Sequence, residues 1–248
     1  VIVPAYTYSA SANVILHTGA TPVFADSLKN GFNIDYSSLK KLITPRTKVI
    51  MPVDIGGMPC QYEQINRLVK QQEVTELFVP SNDIQQKLGR ILVLADAAHS
   101  LGAQHSGKQS STLTDITVFS FHAVKNLTTA EGGAISLCLP EPFNNHEVYQ
   151  KLRIKSLHGQ TKDAFTKAKG NNWEYDIIEP GYKCNMTDIQ AAMGIVELKR
   201  YRNDTLVKRK YIFKRYSDAL SRFNWAILPV YEDGGIKSSY HVYMLRIK

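Results

Sequence analysis

The 248-residue sequence is poor in cysteine and has no long apolar run. Cys60, Cys138 and Cys184 are widely spaced and odd in number, and they form neither a CxxC pair nor a Cys/His pair at zinc spacing. This excludes a disulfide scaffold and a zinc module, and the three read as reduced thiols of a cytoplasmic protein. No window reaches the roughly eighteen uninterrupted apolar residues that a membrane span requires. The apolar run Ile91–Ala98 follows Arg90 and is broken by Asp96. Internal repeats and low-complexity tracts are missing as well. What is present is ordinary for a globular chain: 44% apolar and 21% charged residues, with length enough for one large domain or two modest ones.

Thirty Lys and Arg against 22 Asp and Glu leave a formal net charge of +8. The densest basic run, Lys208 to Arg215, lies within a helical pattern and reads as one solvated face. No RNP, helix-turn-helix or zinc-finger signature accompanies it, so no nucleic-acid partner is expected. A general positive field suits an anionic small substrate better.

Short β-branched runs alternate with helical patterns. Val1–Pro4, Pro22–Ala25, Lys48–Val53, Ile91–Ala95, Thr117–Phe121 and Gly133–Leu139 read as strands, whereas Tyr36–Leu42, Tyr62–Lys70 and Asn145–Ser156 read as helices. The alternation implies an α/β fold with a mostly parallel, helix-flanked sheet and a ligand crevice at the carboxyl ends of its strands. Residues 71–89 read as an insertion with one short helix. Beyond Gly181 a long helix is expected from Thr187 to about Phe223. A Pro- and Gly-containing link and a last strand, Val242–Ile247, follow. The sequence opens on Val1 and stops inside that strand, so it reads as a fragment. The expected organisation is a large domain over residues 1–184, a connecting helix over 185–223 and the start of a truncated small domain over 224–248.

Two strand ends carry the chemistry: Asp96-Ala97-Ala98-His99 and Ser120-Phe121-His122-Ala123-Val124-Lys125. An aspartate and a lysine on neighbouring strand ends suit pyridoxal phosphate. The amine condenses with the aldehyde, and the carboxylate keeps the pyridine nitrogen protonated. Ser120 offers a hydrogen bond to the phosphate. Singly, each residue has a plainer reading: Asp96 as a helix cap, Lys125 as a solvated loop lysine, Ser120 as the cap of a turn.

With these motifs stand Val3-Pro4-Ala5-Tyr6-Thr7-Tyr8, Gly19-Ala20-Thr21-Pro22-Val23-Phe24, Ile43-Thr44-Pro45-Arg46-Thr47-Lys48, Glu131-Gly132-Gly133 and the run from Gly181 to Ala192. Together they resemble the DegT/StrS family of PLP-dependent nucleotide-sugar aminotransferases, of fold type I architecture. The resemblance implies that Lys125 is the Schiff-base lysine and Asp96 the partner of the pyridine nitrogen. By the same resemblance Ser120 is a phosphate ligand, Tyr8 stacks on the cofactor ring, Ala98 packs against its other face, and His99 lies near the ring hydroxyl. Asn185 matches a residue that reaches the cofactor phosphate of a neighbouring subunit, which implies a homodimer with shared active sites; its plainer reading is a helix N-cap. For Lys183, a substrate phosphate and plain solvation both stay open. For His241, in the segment Ser239 to Tyr243, an active-site role and a structural one both stay open.

The implied reaction is ping-pong transamination from L-glutamate to a keto group of a nucleotide-linked sugar, in polysaccharide, lipopolysaccharide or amino-sugar assembly in the cytoplasm. The alternatives are a PLP-dependent sugar dehydratase, in which a histidine commonly replaces the lysine, and a non-catalytic PLP-binding regulatory protein. The resemblance also implies a phosphate-cradling turn upstream of Val1.

Overall fold

A computed structural model describes residues 1–162 and 174–248. Six strands form the main sheet: β1 (Ile2–Pro4), β2 (Val23–Ala25), β3 (Val49–Ile50), β4 (Leu92–Asp96), β7 (Ile116–Ser120) and β8 (Gly133–Leu137), in the order β2-β1-β3-β4-β7-β8. The first five run parallel to their neighbours, and β8 pairs antiparallel with β7. The chain passes from β1 to β2 on one side and returns to place β3 on the other. Parallel strands need helical crossovers, and these put apolar layers on both faces.

Successive strand residues face opposite ways, and the core divides accordingly. Ile2, Ala25, Ile50, Val93 and Ala95 belong to the larger cluster, with Tyr62, Ile65 and Leu68 of α3 (Tyr62–Leu68) packed on them. Val3 and Met51 belong to a smaller one with Ile15 of α1 (Ser9–His17). Each fully buried aliphatic side chain stabilises the fold by about 1.5–3 kcal/mol relative to exposure.

The expected strands are all present, but two are short. Of Lys48–Val53 only Val49–Ile50 forms a ladder, and Val53 adds a single bridge to Asp96. Of Val242–Ile247 only Arg246–Ile247 is a strand (β12), paired with Ala226–Ile227 (β9). The Tyr36 helix shrinks to α2 (Leu39–Leu42), because Asp35 first holds Ser37 and Ser38 in a hydrogen-bonded turn. The 71–89 segment holds two short helices, α4 (Gln72–Leu77) and α5 (Asp83–Leu88). Asn82 caps α5 from its side chain, and Gly89 closes it in the left-handed conformation. Helix α6 (Asn145–Ser156) has the expected bounds and is capped by Asn144.

The long helix is α7 (Asp188–Arg200) and α8 (Leu206–Leu220), joined by a π-helical turn at Tyr201–Thr205. At the π-turn Tyr201 is buried and donates to the Leu101 carbonyl at 2.6 Å. The basic run on α8 is engaged by acids: Lys208 pairs with Asp204, Lys210 with Glu232 and Lys214 with Asp218. β10 (Glu232–Asp233) and β11 (Ile236–Lys237) form a hairpin that adds to β5 (Gln104–His105) and β6 (Lys108–Gln109). No helix among the described residues is long and apolar enough to cross a membrane.

Candidate active site

Strands β4 and β7 are neighbours in register, Asp96 facing Val118, so Asp96 and Ser120 emerge at adjacent carboxyl ends. The Asp96 carboxylate accepts from the Ser11 hydroxyl at 2.7 Å through one oxygen and from the Ala98 main-chain nitrogen at 3.2 Å through the other. No helix follows Asp96, so the helix-cap reading of that residue fails. Ser11 comes from α1, a helix that carries no side-chain cap and buries only Ser11 and Ile15, which is why its periodicity is faint in the sequence.

Ser120 Oγ accepts from the His122 nitrogen at 3.3 Å and so caps the turn that leads to Lys125. Lys125 is partly buried, and burial lowers the proton affinity of its amine while the Asp96 charge opposes that shift. His99 is pushed down to about 4 by burial first and by the Lys125 charge second, with Asp96 again opposing. The charges of Asp96 and Lys125 thus both reach His99, and that of Asp96 reaches Lys125. Lys125 is partly withdrawn from solvent.

His99 Nδ1 is buried and has no hydrogen-bond partner among the described residues. A buried polar atom left unpaired costs about 1–3 kcal/mol, and among the described residues His105 Nδ1 is left the same way. A ring bearing a hydroxyl beside His99, a nitrogen facing Asp96 and an aldehyde within reach of Lys125 suits this donor set, and pyridoxal phosphate carries all three.

Tyr8 stands at the N-terminal end of α1 with 78% of its surface exposed, an unusual setting for a tyrosine. Ala98 is partly buried next to His99. Asn185 is exposed and far along the chain; its amide oxygen accepts from Lys183 Nζ at 2.6 Å. It does not cap α7. Thr187 does, in a reciprocal capping box with Gln190.

Asn126, the residue after Lys125 near the middle of the chain, and His241, near its last residues, share a hydrogen bond of 2.8 Å, and the His241 ring lies 4.4 Å from that of His99. Of the two roles open for His241 in the sequence, this contact bears on the active-site one; Asn126 has no sequence reading of its own.

The sequence profile of the DegT/DnrJ/EryC1/StrS aminotransferase family matches residues 1–78 and 81–248. The chain belongs to that family. It is 38% identical, over all 248 of its residues and 57% of the relative's length, to the spore coat polysaccharide biosynthesis protein SpsC of Bacillus subtilis. It is 36% identical to the GDP-perosamine synthase of Caulobacter vibrioides over 90% of this chain and 51% of that one. Among solved structures, the PLP form of the putative sugar aminotransferase Spr1654 from Streptococcus pneumoniae superposes with a TM-score of 0.91 at 41% identity, covering all of this chain and 60% of that one. The architecture is therefore that of the fold type I transferases. The chain spans little more than half the length of these relatives.

Proposed function

We propose that this family member is the cofactor-binding core of a PLP-dependent aminotransferase that moves an amino group from L-glutamate to a keto group of a nucleotide-linked sugar. The observation that carries the reading is the mutual placement of Asp96, His99 and Lys125 at the carboxyl ends of β4 and β7, with the lysine's proton affinity lowered. The names of the relatives, a GDP-perosamine synthase and a spore coat polysaccharide biosynthesis protein, support a sugar nucleotide as acceptor and a place in polysaccharide assembly. The cytoplasm, where sugar nucleotides are made, is the proposed compartment.

When bound, pyridoxal phosphate supplies an aldehyde for amines and a cationic ring that accepts the electrons freed at the α carbon. The residues do the rest. Lys125 anchors the cofactor, then takes the proton from the donor's α carbon; in the second half it delivers a proton to the sugar carbon that becomes aminated. An amine held below its ordinary proton affinity spends more time neutral, the form a base needs. Asp96 keeps the ring nitrogen protonated, His99 meets the ring hydroxyl, Ser120 takes the phosphate, and Tyr8 and Ala98 sandwich the ring.

Asn185 is assigned to the cofactor phosphate of a second copy. Its exposure supports a homodimer, as does the uncovered apolar surface of α7, where Ile189, Val196 and Leu198 are each at least 60% exposed. The three-part division at residues 184 and 223 is retained, with the β10–β11 hairpin as the join between the last part and the first.

The test uses the full-length protein with added PLP. A visible absorption band that L-glutamate abolishes in the wild type, and that Lys125→Ala never shows, is the expected result. A band that ignores glutamate would replace transamination with dehydration or another donor. No band at all would overturn the role of Lys125 and favour a non-catalytic protein.

A further inference from the structure

The residue after the proposed reactive lysine is tied to the far end of the chain. The Asn126 amide nitrogen donates to the Ser239 carbonyl at 2.7 Å and to the Tyr201 hydroxyl at 3.3 Å. Tyr201 spends its own proton on the Leu101 carbonyl. These bonds fix which way the amide points, so its oxygen faces His241 Nδ1 at 2.8 Å. An amide oxygen only accepts, so Nδ1 carries a proton, and in the neutral ring Nε2 is then the unprotonated nitrogen. The ring lies against that of His99, with centroids 4.4 Å apart and planes tilted by 32°, and Arg209 holds the His241 main-chain carbonyl at 3.2 Å.

We propose that Asn126 and His241 form a positioning couple for Lys125, in which Asn126 fixes the tautomer of His241 and the imidazole stands in the lysine's surroundings as an uncharged hydrogen-bond acceptor through Nε2. This rests on the reading of Lys125 as the reactive lysine.

The electrostatics agree with the geometry. Burial, then His99, Lys125 and Arg209, hold His241 down at about 3, so the ring stays neutral throughout the working range. Asn126 accepts a hydrogen bond from Nδ1 without adding a negative charge, whereas a carboxylate in its place would favour the imidazolium and put a second cation in the surroundings of Lys125.

The experiment labels the histidines of the full-length protein with 15N and reads the tautomer of His241, assigned by its loss in His241→Asn, without cofactor. A neutral ring protonated on Nδ1 at neutral pH is expected. An Nε2-protonated ring, or an imidazolium at neutral pH, overturns the proposal. Asn126→Asp then substitutes a carboxylate for the same acceptor. Its His241 should carry both protons at neutral pH, and transamination should fall about tenfold at pH 7 and recover as the pH is raised through the new His241 pKa. An unchanged pH profile with a doubly protonated His241 would also overturn it. If Asn126→Asp fails to fold, His241→Asn keeps a donor for Asn126 but lacks the Nε2 lone pair. The pH at which its PLP-loaded visible band titrates should then move from the wild-type value, and an unmoved band counts against the couple. Because the tautomer is read without PLP, a failed glutamate test leaves this result standing by itself.

Discussion

The Ser100 hydroxyl donates to the Asp54 carboxylate at 2.6 Å, directly behind the strand end that carries Asp96. The same carboxylate accepts from the Tyr62 hydroxyl at 2.7 Å and the Cys60 nitrogen at 2.9 Å, and the Asp54 main-chain nitrogen donates to the Asp96 carbonyl. Asp54 is fully buried, and burial raises it to about 6 against the pull of those hydrogen bonds. A carboxyl group whose pKa is higher folded than unfolded binds more protons in the folded state, so its contribution to stability is present at low pH and is lost as pH rises through about 6. Between pH 4 and 7 the wild type should lose about 3 kcal/mol relative to Asp54→Asn. Urea unfolding of both proteins across that range measures the difference, and parallel curves would show that Asp54 is not the group responsible.

A second buried carboxylate is held differently. Asp115 forms a two-pronged pair with Arg90, at 2.7 and 2.8 Å, and accepts from the Val93 nitrogen of β4 as well. Both side chains are nearly inaccessible, 11% and 8% exposed. Arg90→Ala would strand a charge between β4 and β7 and should cost about 3–5 kcal/mol. The double variant Arg90→Met, Asp115→Asn should recover part of that loss. Thermal unfolding of the three proteins decides it.

The strands that build the sheet were legible as short apolar, β-branched runs bounded by turn residues, even where, as in β8, one face is exposed; Asp96 and Ser120 stand at the ends of two such runs, and Lys125 lies in the turn beyond the second. Helix α1 was not, since it buries a serine and one isoleucine and has no capping side chain. The π-turn at Tyr201 was not read from the sequence either. Asn126 and Ser239 are 113 positions apart, and nothing local in either segment announces a bond between them. Partners of that kind become visible only when the chain is folded.

The 239–241 segment is clipped onto the site through a glycine that no other residue replaces without strain. Gly57 has φ of +95°, and a β carbon there would lie 2.2 Å from Ser239 Oγ and 3.0 Å from the His99 carbonyl. Ser239 donates to that carbonyl, and its nitrogen donates to the Gly57 carbonyl at 2.9 Å. Gly57→Ala should therefore cost about 1–3 kcal/mol from backbone strain alone, with the clash adding to it. It should also loosen His241, seen as faster amide exchange at Ser239 and His241 than at the β4 core. Unchanged exchange at those two amides would contradict the clip.

The last prediction concerns what holds Asp96 in place. Its Oδ2 is taken by the Ser11 hydroxyl, which in turn lies 2.9 Å from the Thr7 hydroxyl, so the carboxylate is oriented from α1 and from the loop after β1. If Asp96 serves the ring nitrogen, its charge matters most and its orientation second. Asp96→Asn keeps the shape and removes the charge, and should lower kcat by about 10²–10³-fold, the size seen when a charge-stabilising group is removed from a site. Ser11→Ala keeps the charge and removes one bond to it, worth about 1.5–3 kcal/mol for an ionised acceptor, so a loss of about tenfold is expected. The two effects should not multiply: with Asn at position 96 the further change at Ser11 should cost little, because the bond it removes is then a neutral one. Steady-state kinetics of the two single variants and the double variant test this, and fully multiplicative losses would place Ser11 outside the Asp96 unit.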